Sequence, residues 1–123
     1  MIAIMPKIRI LIGAIKTLSN WPVYLVDYFG LASATEIYYR LRNGIVFAIR
    51  PKVNDRVIFN QIWLRRVYEP SGFEVGERDT VVDIGAHIGL FSVLAARQAK
   101  NGKVYSFEPA PDNFRMLRKN VAL

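Results

Sequence analysis

Val81-Val82-Asp83-Ile84-Gly85-Ala86-His87-Ile88-Gly89 is a short apolar run that closes on an acid and a glycine, with a second glycine four positions later. Val81, Val82 and Ile84 put β-branched residues on both faces, which suits a parallel strand covered by helices on either side. Helical spacing begins immediately afterwards, through Phe91, Leu94, Ala95 and Ala99. A strand that stops at Gly85 and turns into a helix near Ile88 leaves backbone N–H groups without helical partners, aimed over the strand's carboxyl end. Open α/β sheets bind their ligands there.

Downstream, Asn101-Gly102 stops the helix. Lys103-Val104-Tyr105-Ser106-Phe107 reads as the next strand and ends on Glu108-Pro109. Asp112 or Asn113 can cap a last helix with Phe114, Leu117 and Val121 inward and Arg115, Arg118 and Lys119 outward. This βαβα order is the first half of a doubly wound nucleotide site. Glu108 lies 19 residues beyond Gly89. Adjacent parallel strands end side by side, so a carboxylate at the end of the second can accept both hydroxyls of a ribose lying across the first. Gly85 and Gly89 would let that ligand approach the backbone.

Spacing narrows the nucleotide. A dinucleotide fingerprint needs glycines at its first, third and sixth positions, whereas counting from Gly85 gives His87 and then Leu90. NAD and FAD are disfavoured. No Gly-Lys-Ser/Thr loop occurs to cradle the phosphates of ATP or GTP. An acid two residues before the first glycine suits a ligand with a positive group, and adenosyl ligands with an amino-acid tail meet that requirement.

The 123 residues suffice for one small core, arranged as an N-terminal helical and β-hairpin region (1–70) and the start of a ligand-binding domain (71–123). Hydrophobic residues at 52% and charged residues at 22% argue against disorder. The absence of cysteine removes disulfides and thiolate metal sites, and no metal centre is expected. The net charge of +7 is uneven: residues 1–70 hold ten Lys/Arg against four acids, residues 71–123 seven against six.

Lys7, Arg9 and Lys16 interrupt the first apolar run, leaving only Ile10 to Ile15 unbroken, too short for a signal peptide or a membrane span. Ile4, Ile8, Leu11, Ile15 and Leu18 recur at helical spacing, with Pro6 as an opener. Such a helix packs on the body of the protein, and residues 1–20, being basic and apolar, also suit peripheral contact with a membrane surface. Ser19 and Asn20 can cap a second helix carrying Val23, Leu25, Val26 and Phe29 into a core run from Trp21 to Leu31, with Gly30 as its stop. From Glu36 to Arg50 the period becomes two, and Asn43-Gly44 marks a hairpin with Ile37, Tyr39, Leu41, Ile45, Phe47 and Ile49 inward. Tyr38, Arg40, Arg42 and Arg50 decorate its other face, read as a solvated edge in preference to an RNA-stacking surface. Asn54 or Asp55 can cap a helix with a stripe through Val57 or Ile58, Ile62 and Leu64, running to Val67. Tyr68 to Thr80 is a loop whose Glu74, Glu77 and Asp79 serve solvation.

The stretch Val81 to Phe91, followed by Tyr105-Ser106-Phe107-Glu108-Pro109 and Asp112-Asn113-Phe114 with Leu117 and Asn120, resembles the FkbM-type methyltransferases that use S-adenosylmethionine. Arg42-Asn43-Gly44, Asp55-Arg56 and Tyr68 are similar to that family's approach to its first motif. His87 stands where the family more often has Asn, and either side chain can hydrogen-bond near a ligand. The resemblance implies a class I fold with S-adenosylmethionine as cofactor, held by Asp83, Gly85, Ala86, His87, Gly89, Glu108 and Pro109. Gly85 to Gly89 would lie beneath the methionine part, Glu108 would hold the ribose, and Asp83 would act through the loop or the ligand's ammonium group. It also implies a sugar, lipid-linked or small natural-product acceptor methylated on oxygen, in a cytoplasmic or membrane-peripheral enzyme. No catalytic residue is assigned, since methyl transfer from a sulfonium needs mainly in-line positioning. A doubly wound domain continues past the second helix, so the chain is expected to be the N-terminal portion of a longer enzyme, inactive alone. The competing expectation is a basic module that contacts RNA or anionic membrane without chemistry.

Overall fold

The computed structural model describes residues 4–123, and in it the period change at Glu36 becomes an antiparallel hairpin. β1 (Ile37–Arg40) pairs with β2 (Val46–Ile49), Ile37 opposite Ile49 and Arg40 opposite Val46. Leu41 N–H donates to Ile45 O at 2.7 Å, and the Asn43 side-chain oxygen accepts from Ile45 N–H at 3.2 Å. The bend is therefore longer than a two-residue loop, with Asn-Gly at its centre. Tyr39, Leu41, Ile45, Phe47 and Ile49 are buried as expected, while Ile37 is half-buried and Ala48, on the other face of β2, is fully buried as well.

The hairpin belongs to the first of two compact units, which runs to Arg65; the second spans Arg66–Leu123. In the first, α1 (Ile4–Thr17) and α2 (Trp21–Tyr28) precede the hairpin, and α3 (Asp55–Phe59) follows, passing directly into a π-helical turn (Asn60–Leu64). Residues 1–3 of the expected first helix lie outside the described residues. Its predicted stripe is corrected: Ile8 and Ile15 are exposed, while Ala14 is buried and Leu18, just past the helix, is buried in a bridge to Leu41. A Cβ on Gly13 would sit 3.8 Å from Leu64 Cβ, so small residues let this helix lie close to the π turn.

α2 also turns a different face inward. Val26, Phe29 and Leu31 are exposed, and Tyr24 and Asp27 are buried. Polar pairing explains the rotation: Tyr24 Oη donates to Asn60 Oδ1 at 2.9 Å, and Tyr39 Oη donates to the Asp27 carboxylate. Arg56 Nε lies 3.4 Å from that carboxylate, and its guanidinium sits 5.1 Å from the centre of the Tyr28 ring. Burial, reinforced by the Asp27 carboxylate, pushes the Tyr39 hydroxyl far above the ordinary tyrosine range, which keeps it a donor.

The expected caps are displaced for a similar reason. Asn20 occupies the position before α2, yet its amide donates to Tyr38 O and accepts from Arg40 N–H, both at 2.8 Å, extending the edge of β1. Asp55 is fully buried and accepts from Arg50 N–H, Nε and Nη2, each at 2.9 Å, instead of capping. Asn54 makes no cap bond either. The following helix ends at Leu64, short of the predicted Val67, with Phe59, Ile62 and Trp63 inward and Val57 exposed. Phe59 meets Tyr39 at 5.0 Å between ring centres, and Trp63 meets Phe47 at 5.2 Å.

In the second unit, β3 (Thr80–Ile84) and β4 (Lys103–Phe107) pair in parallel, Ile84 opposite Phe107, with α4 (Leu90–Gln98) between them and α5 (Pro111–Ala122) after them. The mixed α/β architecture is as predicted, and β4 has the predicted ends. Coverage of both sheet faces is not found: α4 lies on the face bearing Asp83 and Ser106, while Val82, Ile84, Tyr105 and Phe107 on the other face are exposed. The last helix starts after Ala110 with Pro111 first, so neither Asp112 nor Asn113 caps it. It buries Met116, Leu117 and Asn120 and leaves Phe114 and Val121 exposed, contrary to the apolar count. Glu77 and Asp79 do more than face solvent. Glu77 accepts from the Asn101 side chain at 2.7 Å, and Asp79 O accepts from Lys103 N–H at 3.0 Å, tying the incoming loop to the start of β4.

Candidate functional site

The carboxyl ends of β3 and β4 stand side by side, because Ile84 and Phe107 are register partners. From them rise the Gly85–Gly89 loop and Glu108-Pro109. The loop's N–H groups, expected to point at a ligand, are mostly engaged inside the protein. Gly85 and Ala86 N–H both donate to Phe107 O, at 2.8 and 3.0 Å, and His87 N–H donates to Glu108 Oε2 at 2.8 Å. Gly89 N–H donates to Ala86 O at 2.8 Å. The end of β4 therefore shapes the loop after β3.

Glu108 is the hub of this arrangement. Oε1 accepts from Ala110 N–H at 2.8 Å while Oε2 holds His87, so one carboxylate bridges the two loops above the sheet. The bond from the Ala110 amide, followed by those from His87 and Asn113, holds Glu108 below the usual carboxylate range. Its two oxygens offer about four acceptor positions, and the bonds from Ala110, His87 and Asn113 leave one of them open. An ionised acceptor fixed at the mouth of the sheet can therefore still receive a hydroxyl group.

The two glycines have different surroundings. Gly85 has φ +78° and is exposed, and a Cβ built there would meet nothing within 4 Å. Gly89, with φ +84°, is buried, and its Cβ would fall 2.6 Å from Leu117 Cδ1. Open space lies above Gly85, whereas the close approach at Gly89 is to α5. Ala86 is buried beneath the loop, Pro109 is exposed beside Glu108, and His87 takes φ +54°, a left-handed conformation rare for side chains other than Asn, Asp and His.

Asp83 is engaged with α4. Its Oδ2 accepts from Ser92 Oγ at 2.6 Å, and Ser106 Oγ donates to Ser92 Oγ at 2.8 Å. Strand, helix and neighbouring strand are thus joined by one chain of bonds under the first turn of α4. Buried Asn120 donates from Nδ2 to Ile88 O at 2.8 Å and fixes the far side of the loop. Sequence reasoning gave Ser92, Ser106 and Asn120 no role; the available signal was a polar residue on each of three otherwise apolar inner faces. On the hairpin, Arg50 binds Asp55, Arg42 Nη2 donates to Ile15 O at 3.2 Å, and Tyr38 Oη donates to Glu36. Three of the four side chains considered for base stacking thus have partners within their own unit.

The family described as TRM5/TYW2 methyltransferase domain matches residues 43–123. The chain is 36% identical over 82 residues to 31-O-demethyl-FK506 methyltransferase FkbM of Streptomyces tacrolimicus, covering 67% of this chain and 32% of that protein. It is 33% identical over 72 residues to methyltransferase sdnD of Sordaria araneosa, covering 58% and 27%. It is also 34% identical over 64 residues to AMB antimetabolite synthetase AmbE of Pseudomonas aeruginosa, covering 52% and 3%. The chain thus spans about a third or less of the length of these relatives. No solved structure matches it. The FkbM-type resemblance read from residues 81–120 is borne out, and the chain belongs to the TRM5/TYW2 methyltransferase domain family.

Proposed function

We propose that the chain provides the S-adenosylmethionine-binding part of a methyltransferase that acts on an oxygen of a sugar, lipid-linked or small natural-product acceptor. The observation that carries this reading is the Glu108 carboxylate, ionised and fixed at the end of β4 beside the open space over Gly85. The family supports the cofactor, since methyltransferases generally use S-adenosylmethionine. The donor set supports it too. With Gly85, Ala86 and His87 N–H groups satisfied internally, the site offers an acceptor for hydroxyls and little to a phosphate, which favours a nucleoside over a dinucleotide.

Glu108 would receive a ribose hydroxyl, and Gly85 and Ala86 would pass beneath the ligand. His87 and Pro109 would border it, while Gly89, through its packing on Leu117, would keep the loop in shape. Asp83 would act through Ser92 and the loop. The cofactor, when bound, supplies an electrophilic methyl group on a sulfonium. The chain's own residues would orient that group, and the proton released by the acceptor hydroxyl would pass to a base in the rest of the domain or to water, so positioning is their contribution. The name of FkbM, a 31-O-demethyl-FK506 methyltransferase, supports oxygen as the acceptor atom. In this reading β3 and β4 begin a doubly wound sheet, and the 123 residues alone bind cofactor without turnover.

Isothermal titration of the chain with S-adenosylhomocysteine tests the proposal. Saturable binding that falls at least tenfold in Glu108→Ala is expected, about 1.4 kcal/mol or more. Equal affinity in both proteins, or heat from ATP or NAD instead, would overturn it.

A further inference from the structure

α1 is apolar on two sides, and only one of them is used. Ala14 is fully buried, and the backbone at Gly13 runs close to Leu64, so this side packs within its unit. Ile8, Ile12 and Ile15 are 48%, 46% and 40% exposed. At roughly 100° per residue these three fall within about 60° of one another, a continuous stripe some 120° from Ala14. Half-exposed isoleucines in such a row present a continuous apolar edge to solvent.

The charges around the stripe define what fits it. By the same count Arg9 and Lys16 flank the stripe on one side, and Lys7 falls near the line of Ala14 about two turns nearer the N-terminus, all three exposed. The first acidic residue of the chain is Asp27, so nothing on the helix offsets them. The same positive field opposes a second copy of this helix docking on the stripe. At 14 residues the helix is about 21 Å long, and no helix among the described residues is long and apolar enough to cross a membrane. A short basic helix with an outward apolar stripe bordered by cations matches the boundary between headgroups and acyl chains, with the long cationic side chains reaching lipid phosphates.

We infer that α1 is an interfacial helix that seats Ile8, Ile12 and Ile15 in an anionic lipid surface, with Lys7, Arg9 and Lys16 as its charge contacts. This surface is independent of cofactor binding, and its test does not involve methyl transfer. The chain is mixed with vesicles of phosphatidylcholine alone or with about a third phosphatidylglycerol, and bound protein is measured by cosedimentation. Binding to the anionic vesicles only is expected, with at least a tenfold loss in an Ile8→Ser/Ile12→Ser variant and in a Lys7→Gln/Arg9→Gln/Lys16→Gln variant. These positions are exposed, so circular dichroism should match the parent chain. Arg115→Gln/Arg118→Gln removes charge from exposed positions of α5 and should change binding by less than about twofold, as expected if the cations of α1 and not the net charge of the chain drive binding. The inference fails if anionic vesicles are not bound, if the isoleucine variant binds as well as the parent chain, or if the α5 variant loses as much as the α1 variant. It also fails if the stripe proves to hold a second copy, seen as a dimer that the isoleucine changes dissociate.

Discussion

Replacing each glycine of the loop by alanine should separate the loop's two tasks. At both positions φ is near +80°, which costs an alanine roughly 1–2 kcal/mol, offset in part by about 0.4–1 kcal/mol of lost freedom in the unfolded chain. Gly85→Ala adds nothing further, because its Cβ points into open space. Its net cost is about 1 kcal/mol. Gly89→Ala places a methyl group 2.6 Å from Leu117 Cδ1, and Leu117 is only 4% exposed, so it cannot swing into solvent. Overpacking of this kind costs roughly 1–3 kcal/mol more, for a total of about 2–4 kcal/mol. Urea unfolding monitored by circular dichroism measures both. Affinity for S-adenosylhomocysteine should run the other way, with Gly85→Ala losing about tenfold if the nucleoside lies over that backbone. Equal destabilisation by the two changes would refute the packing argument. Full-strength binding by a folded Gly85→Ala chain would refute the assignment of the open space.

Asn120→Leu should destabilise the second unit by about 1–3 kcal/mol, since the buried Ile88 carbonyl loses its donor; hydrogen exchange at residues 85–89 should quicken, and unchanged exchange would contradict this role. Removing the Arg50 side chain as Arg50→Ala leaves the fully buried Asp55 carboxylate with much of its charge uncompensated and should cost roughly 2–3 kcal/mol, less than a wholly buried pair because Arg50 is 21% exposed; a neutral result would contradict it. Glu108 has a lowered pKa in the folded chain, so its bridge to His87 and Ala110 is fully present above the ordinary value of 4.5 and is lost as pH falls through the lowered one. The His87 and Ala110 amide resonances should therefore titrate with a midpoint below 4.5, and a midpoint at or above that value would remove the bridge from the account.

The parts of the fold that follow from local chemistry were legible. Alternation and Asn43-Gly44 gave the hairpin, a β-branched run gave β3, the stretch between Asn101-Gly102 and Glu108-Pro109 gave β4, and the glycine loop with Glu108 gave the site's location. Several misreadings share one cause, which is that counting apolar residues ignores polar side chains that fold inward in pairs. α2 shows Tyr24 and Asp27 to the core because Asn60, Tyr39 and Arg56 meet them there, while Val26 and Phe29 stay outside. Asn20 and Asp55 looked like caps because their residue type favours caps, but Tyr38, Arg40 and Arg50 offered them partners distant in sequence or better in charge. The loop amides looked available because nothing in the sequence reveals that Phe107 O and Glu108 come within 3.0 Å of them. That last difference bears on function, since it makes Glu108 both the organiser of the loop and the acceptor proposed for the ligand.

The central claim, that a nucleoside cofactor lies across the carboxyl ends of β3 and β4, is tested most directly by following backbone amide resonances of the 14.0 kDa chain during titration with S-adenosylhomocysteine. The account predicts saturable shifts concentrated at Gly85, Ala86, His87, Glu108 and Ala110. Shifts that cluster elsewhere, or none at millimolar ligand concentration, would contradict it.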